Sequence, residues 1–440
     1  VERISPEKRK NLPGESPTLS HNTGLIILPG AYTWRGTFAE NRYNAAMKIY
    51  GKLTALLLAS ALLFSFYPAA KVQAASAETD GSFYYDLPLC LPGLYNDAPE
   101  DCLPLGASLS LKNLAEEGIP YILEELPAAS PDYSLTELPV WVAKIVAGSS
   151  EAVPVYASLD EARNGGTPLR TLAAGPMRYV SMVNQVSDGN RILVQLESGE
   201  WMQAQPIYSW TRFQGLRFSR TPKNDFGWIV NDAEGYTAPG YASPKTGRVH
   251  AKYEVIQIFQ MAEADGYEWY RISQDEWVSS HKSRRVVVDT TPPPGVTGDR
   301  WINIDLGNYT LAVYEGGELV FASLIATGLP PFYTQPGTFQ IYKMYETVTM
   351  QDAYEADRSD FYHLQAVPWA MFYDRNTAIH GVYWPVVLGF NQSHGCVNMS
   401  PGDANWVYHW AREGDWVYVH DPSGKTPTDP AYYGGVSTGP

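Results

Sequence analysis

Apolar and polar positions alternate through much of the C-terminal half of the chain. Trp301-Ile302-Asn303-Ile304-Asp305-Leu306 reads as a half-buried strand, and residues 309–314 repeat the pattern. Gly316-Gly317 supplies a hairpin turn before a further strand over 318–326. Strands are also expected over 339–350, 367–372 and 416–420. Helical signals are few. One covers 109–117. Another opens at Ser400, a capping residue, with Pro401 in the first turn and Asp403 at the third position; it runs to about residue 412 and stops at Gly414. Strands outnumber helices, so the expected fold class is mainly β and multi-domain.

The middle of the chain repeats itself. Val153-Pro154-Val155-Tyr156-Ala157-Ser158 is echoed by Ala238-Pro239-Gly240-Tyr241-Ala242-Ser243. Asp188-Gly189, the apolar run 191–196 and Glu200-Trp201 are echoed by Asp265-Gly266, the run 268–272 and Glu276-Trp277. A repeat of about eighty residues with alternating strands predicts two small β modules, over 138–215 and 216–288. Asp289-Thr290-Thr291-Pro292-Pro293-Pro294-Gly295 then forms an extended, semi-rigid linker, assigned to 289–298. A further folded domain is expected over 299–421. Residues 422–440, rich in Pro, Gly, Ser and Thr, are expected to be disordered.

The N-terminal region has a different character. Residues 1–46 show no apolar periodicity. From Met47 the chain has the layout of a secretory signal peptide over 47–77: Lys48 and Lys52, the apolar run 53–67, then the small residues of Val72-Gln73-Ala74-Ala75-Ser76-Ala77. The run is short for a membrane span of roughly 20 residues, so no stable span is expected after signal cleavage; an uncleaved anchor is the alternative. We expect Met47 to be the start and 1–46 to be an upstream translation artefact, which N-terminal sequencing of the mature protein would test. Residues 78–137 carry Cys90 and Cys102 among many prolines and form a spacer or cap with no function legible from sequence.

Composition narrows the class. The chain has 440 residues, 18% charged and 13% aromatic, with 30 Tyr and 13 Trp, which describes a folded rather than a disordered chain. A net charge of −15 argues against nucleic acid as a partner. Of three cysteines, Cys90 and Cys102 lie close together and read as a disulfide in an exported protein. All three would be reduced in a cytoplasmic one. Cys396 is left over.

The chemistry concentrates in Ile379-His380-Gly381-Val382-Tyr383-Trp384, a loop, and Ser393-His394-Gly395-Cys396-Val397-Asn398-Met399. A cysteine attacks as the thiolate, whose parent thiol has a pKa near ~8.5, and a neighbouring imidazole can take the proton. Gly395 leaves room beside the sulfur, and backbone N–H groups at such a turn can face a developing oxyanion. Two plainer readings stand beside this one. Cys396, His380 and His394 could be buried core residues, or they could bind zinc, although the usual zinc spacings are absent.

This stretch resembles the signature of the L,D-transpeptidases, whose YkuD-type catalytic domain carries an HG, a variable loop and then [ST]-H-G-C-x-[RN]. The resemblance implies that Cys396 is the acylated nucleophile and His380 its base. Gly381, Tyr383, Trp384, Ser393, His394, Gly395 and Asn398 would shape the oxyanion and substrate side. Asn398 stands where many members carry Arg. Gly381 stands where some carry Ser, so an orienting contact to His380 must come from a backbone carbonyl. Thr334-Gln335-Pro336-Gly337-Thr338-Phe339 is similar to the family's TPxG-F element, and residues 351–366, with Tyr354, Phe361 and Tyr362, would be a lid over the donor site. The two repeats resemble bacterial SH3 modules, expected as tandem β-barrels before a β-sandwich catalytic domain with one main helix; they could bind wall peptides or serve as a rigid spacer. The resemblance further implies peptidoglycan stem peptides and the cell wall as partners, no cofactor or metal, and an extracytoplasmic location. The alternatives are an L,D-carboxypeptidase, a general cysteine peptidase and a wall-binding protein whose catalytic fold is vestigial.

Overall fold

The computed structural model describes residues 107–119, 123–353, 355 and 357–428. The expected extension 1–46, signal peptide 47–77 and Cys90/Cys102 pair lie outside the described residues, as do Tyr354, Ala356 and residues 429–440. The architecture is mainly β, with several sheets and few helices. We number the strands of the C-terminal region β1 (Arg300–Asp305), β2 (Thr310–Glu315), β3 (Glu318–Leu324), β4 (Ala326–Gly328), β5 (Gly337–Gln340), β6 (Lys343–Asp352), β7 (Tyr362–Asp374), β8 (Thr377–Gly381), β9 (Phe390–Ser393), β10 (Val397–Met399) and β11 (Trp416–His420).

Two sheets organise this region. The first is seven-stranded, in the order Ala128–Ala129, Leu216–Phe218, β3, β2, β1, β11, β5. The second runs β9, β4, β10, β8, β7, Met177–Met182, Trp141–Lys144, Gln205–Pro206, with β6 also paired to β7. Alternation along β1 and β2 sends side chains to two different cores. Ile302, Ile304, Leu311 and Val313 meet Trp369, Met371, Ile379, Val397 and Met399 of the second sheet. Trp301, Ala312 and Tyr314 pack against Phe226, Trp228 and Val286. Trp301 lies flat on Tyr314 with ring centres 4.8 Å apart. The strand expected to be half-buried is therefore buried on both faces, because neighbouring residues cover the side that alternation would have left wet.

Two expected strands are each divided between the sheets. Residues 318–326 break at Ile325, whose N–H donates to Tyr309 O while its carbonyl accepts from Gly389 N. Residues 339–350 break at Ile341-Tyr342: Ile341 N donates to Asp415 O on the first sheet's side, and Tyr342 N to Phe372 O in β7. Hydrophobic alternation continues across both crossings, since each sheet requires it.

The upstream modules share these sheets. Met177–Met182 pairs in parallel with β7, setting Met177 against Tyr362 and Leu364 against Tyr179. The expected lid at 351–366 thus shrinks to the link between β6 and β7, because Tyr362 onward is strand. Val155, Val180, Val194 and Met202 share a core, beside which a turn at Gly189 joins two paired strands. Ile229, Ile256, Tyr270 and Val278 form a separate core in the region expected to be the second module. Its repeat is imperfect: Val153–Val155 is a strand, whereas 238–243 forms bends and turns.

The helix after Cys396 spans Pro401–Trp410, capped by Ser400 Oγ, which accepts Asp403 N–H at 3.2 Å. It ends short of 412, with Ala411 already extended. A second helix, Ala107–Glu116, lies where 109–117 was expected. Residues 422–426, expected to be disordered, turn about Asp421, whose carboxylate accepts N–H bonds from Ser423, Lys425 and Thr426. No described helix is long and apolar enough to cross a membrane.

Candidate active site

The site is built on β8 and β10, which run parallel with Ile379 opposite Val397 and His380 opposite Asn398. Side chains alternate along a strand, so Ile379, Val397 and Met399 face the core. His380 takes the other face. Cys396 lies in the bend just before β10, two residues ahead of Asn398, the residue opposite His380. Among the described residues no hydrogen bond joins the two side chains; each bonds instead to a backbone carbonyl.

His380 is 2% exposed. Its Nδ1 lies 3.0 Å from the carbonyl oxygen of Gly381, which can only accept, so Nδ1 carries the proton and Nε2 is left to take one. This is the backbone carbonyl contact that the glycine at 381 required. Burial lowers the His380 pKa to about 4, and the bond to Gly381 opposes the shift. Cys396 is half-buried, and its Sγ donates to Asn376 O at 3.8 Å. Burial pushes the thiol up, while the Ala378 backbone N–H pulls it back.

The turn that presents Cys396 is held from below. Ser393 Oγ donates to the Cys396 carbonyl and accepts Gly395 N–H at 3.2 Å. Gly395 has φ +111°, a conformation that favours glycine, and its carbonyl accepts Thr334 Oγ–H at 2.7 Å. Thr334 Oγ also accepts Gly328 N–H at 2.9 Å, tying the turn to β4. The TQPG segment was legible in the sequence, but this strap from Thr334 was not. His394 is exposed, its ring 4.6 Å from Phe332 and 6.1 Å from Tyr362, so it stands at the mouth among aromatic groups.

Other expected site residues sit deeper. Tyr383 and Trp384 belong to an apolar cluster with Val142, Tyr179 and Val367. Tyr383 donates to Gln365 O, and Trp384 lies 5.9 Å from the His380 ring. They brace the histidine from behind. Gly381 is enclosed by Ala404, Pro368 and Pro401 and adds no surface to the mouth. Asn398 is buried between His380 and Ala326 of the neighbouring strands. Among the described residues, no three His, Cys, Asp or Glu side chains gather where they could hold a metal ion.

The family model of the L,D-transpeptidase catalytic domain, YkuD, matches residues 299–419. Over those residues the chain is similar to the YkuD-type L,D-transpeptidase catalytic domain. L,D-transpeptidase 1 of Mycobacterium tuberculosis is 30% identical over 168 residues, covering 33% of this chain and 65% of that protein, just under two thirds of its length. Among solved structures, the catalytic domain of the E. faecium L,D-transpeptidase is 26% identical and covers 29% of this chain and 100% of that one, with a TM-score of 0.25. The Mycobacterium smegmatis L,D-transpeptidase is 23% identical and covers 37% and 81%, with a TM-score of 0.27.

Proposed function

We propose that the protein is an L,D-transpeptidase of the cell wall, working outside the cytoplasm on peptidoglycan stem peptides. The observation that carries this is the place of Cys396 at the turn leading into β10, whose Asn398 lies opposite His380 of the adjacent parallel strand, within the matched catalytic domain. The donor is a tetrapeptide stem. His380 Nε2 takes the thiol proton, and the Cys396 sulfur attacks the carbonyl carbon of the third residue. The backbone N–H of Cys396, at the turn that Ser393 holds in place, receives the oxyanion. His380 returns its proton to the departing D-Ala amine as the C–N bond breaks, leaving a thioester.

A side-chain amine on a second stem then attacks the thioester, losing a proton to His380, and the sulfur departs. The product is a 3–3 cross-link or a wall attachment. The upstream modules, read as SH3-like, hold this domain at the wall either by binding it or as a spacer. Incubating the purified protein with disaccharide-tetrapeptide and weighing the products tests the reading. A dimer lacking one D-Ala, absent with Cys396→Ala, is expected. Tripeptide alone would make it an L,D-carboxypeptidase. Protein bound to intact walls with no product would make it a binding protein.

A further inference from the structure

The peptide unit joining Gly395 to Cys396 is gripped on one edge and free on the other. Its carbonyl oxygen, on Gly395, accepts the Thr334 hydroxyl at 2.7 Å. Thr334 is 2% exposed, and its Oγ is itself anchored by the Gly328 N–H at 2.9 Å, in β4. The link is trans, so its C=O and N–H point in opposite directions. Holding the Gly395 oxygen toward Thr334 therefore turns the Cys396 N–H the other way. Among the described residues that N–H donates to no partner, whereas the Gly395 N–H is already taken by Ser393 Oγ.

Gly395, at φ +111°, gives this unit a freedom to rotate that the Thr334 bond removes. The peptide unit on the other side of the cysteine is pinned as well, since Ser393 Oγ donates to the Cys396 carbonyl. Two hydroxyls thus fix the backbone before and after Cys396. The free N–H and the sulfur belong to one residue, so a carbonyl attacked by Sγ brings its oxygen within reach of that N–H. We propose that Thr334 is a positioning residue for the oxyanion: by holding the Gly395 carbonyl it aims the Cys396 N–H at the oxygen that gains charge during attack. A hydrogen bond accepted at the carbonyl also polarises the unit and strengthens its N–H as a donor. Thr334 touches neither substrate nor sulfur and exchanges no proton. The inference rests on reading Cys396 as the nucleophile.

The test compares two reactions of Cys396 in the full-length protein, each followed by peptide mass with Cys396→Ala as blank. With p-nitrophenyl acetate the sulfur bonds to the carbonyl carbon through an oxyanion, the thiol proton passes to His380, and the C–O bond breaks to release p-nitrophenolate. With iodoacetamide the same sulfur displaces iodide and no oxyanion forms. In Thr334→Val and Thr334→Ala, acylation slows about tenfold or more relative to alkylation, a part of the roughly 10²–10³-fold that losing one oxyanion donor costs. Thr334→Ser keeps the hydroxyl and the wild-type ratio. Both hydroxyl-free variants leave the Gly328 N–H without its acceptor and melt lower; the ratio of two rates within one protein cancels any loss of folded molecules, and either variant serves if the other fails to fold. An equal fall in both rates would make Thr334 a purely structural tie and overturn the proposal, as would an unchanged ratio. Neither probe is a stem peptide. A selective loss in a protein that leaves stem peptides untouched would sink the transpeptidase reading and leave Thr334 standing, whereas stem-peptide turnover with an unchanged ratio would do the reverse.

Discussion

The carboxylate of Asp403 accepts the backbone N–H of Gly215, at 2.9 and 3.0 Å from its two oxygens. Asp403 is on the helix that follows Cys396, and Gly215 directly precedes a strand of the first sheet. Ser323 Oγ donates to the same carboxylate at 2.6 Å. Burial raises the Asp403 pKa to about 7 against the pull of Ser323, Gly215 and Ser400. A carboxyl whose pKa is raised by folding binds more protons folded than unfolded. It therefore destabilises the fold progressively as pH rises from the ordinary carboxylate range toward about 7, and its effect is constant above that. Melting temperature measured against pH should fall over that window more steeply in wild type than in Asp403→Asn. Parallel curves would mean that Asp403 is already ionised there.

The shifts at the dyad point to a resting pair that is neutral. Burial lowers His380 to about 4 and raises Cys396, and both changes disfavour the thiolate–imidazolium form. Cys396 alkylation should keep climbing with pH beyond the ordinary thiol midpoint near ~8.5. A plateau reaching down to acidic pH would show a preformed ion pair and contradict this. The histidine then acts during attack. His380→Ala should lower kcat by about 10²–10⁴-fold while leaving the melting temperature close to wild type.

Glycine at 381 has a steric reason. A Cβ there would lie 3.2 Å from Ala404 Cβ and Pro368 Cγ and 3.3 Å from Pro401 Cα. The serine found at this position in some members of the resembling family would press the capped helix away from β8. Gly381→Ser should cost about 1–3 kcal/mol in chemical denaturation, the usual range for overpacking a filled core. An unchanged midpoint would show that the helix yields freely.

Much of the C-terminal region was legible, for local reasons. The closing strand Trp416–His420 and the Ser400 cap are written in neighbouring residues, and both lie where the sequence placed them. The HG and SHGC segments were visible as motifs. What was hidden depends on distant partners. Alternation cannot show that a strand changes sheets at Ile325 or Ile341. Nor can it show that Met177–Met182 extends the sheet of β8, so that the last part of the expected lid, from Tyr362, is strand. Tyr383 and Trp384 adjoin the histidine in sequence, which suggested substrate contact, but their burial depends on Tyr179 from the first module. The Thr334 strap likewise becomes visible only after folding.

The central claim is that Cys396 becomes acylated by a stem peptide. Its most direct test is the intact mass of the protein within the first turnover after mixing with disaccharide-tetrapeptide, followed by peptide mapping. The account predicts a gain equal to the donor less D-Ala, located on Cys396 and lost in Cys396→Ala. An adduct on another residue, or turnover that persists in Cys396→Ala, would contradict it.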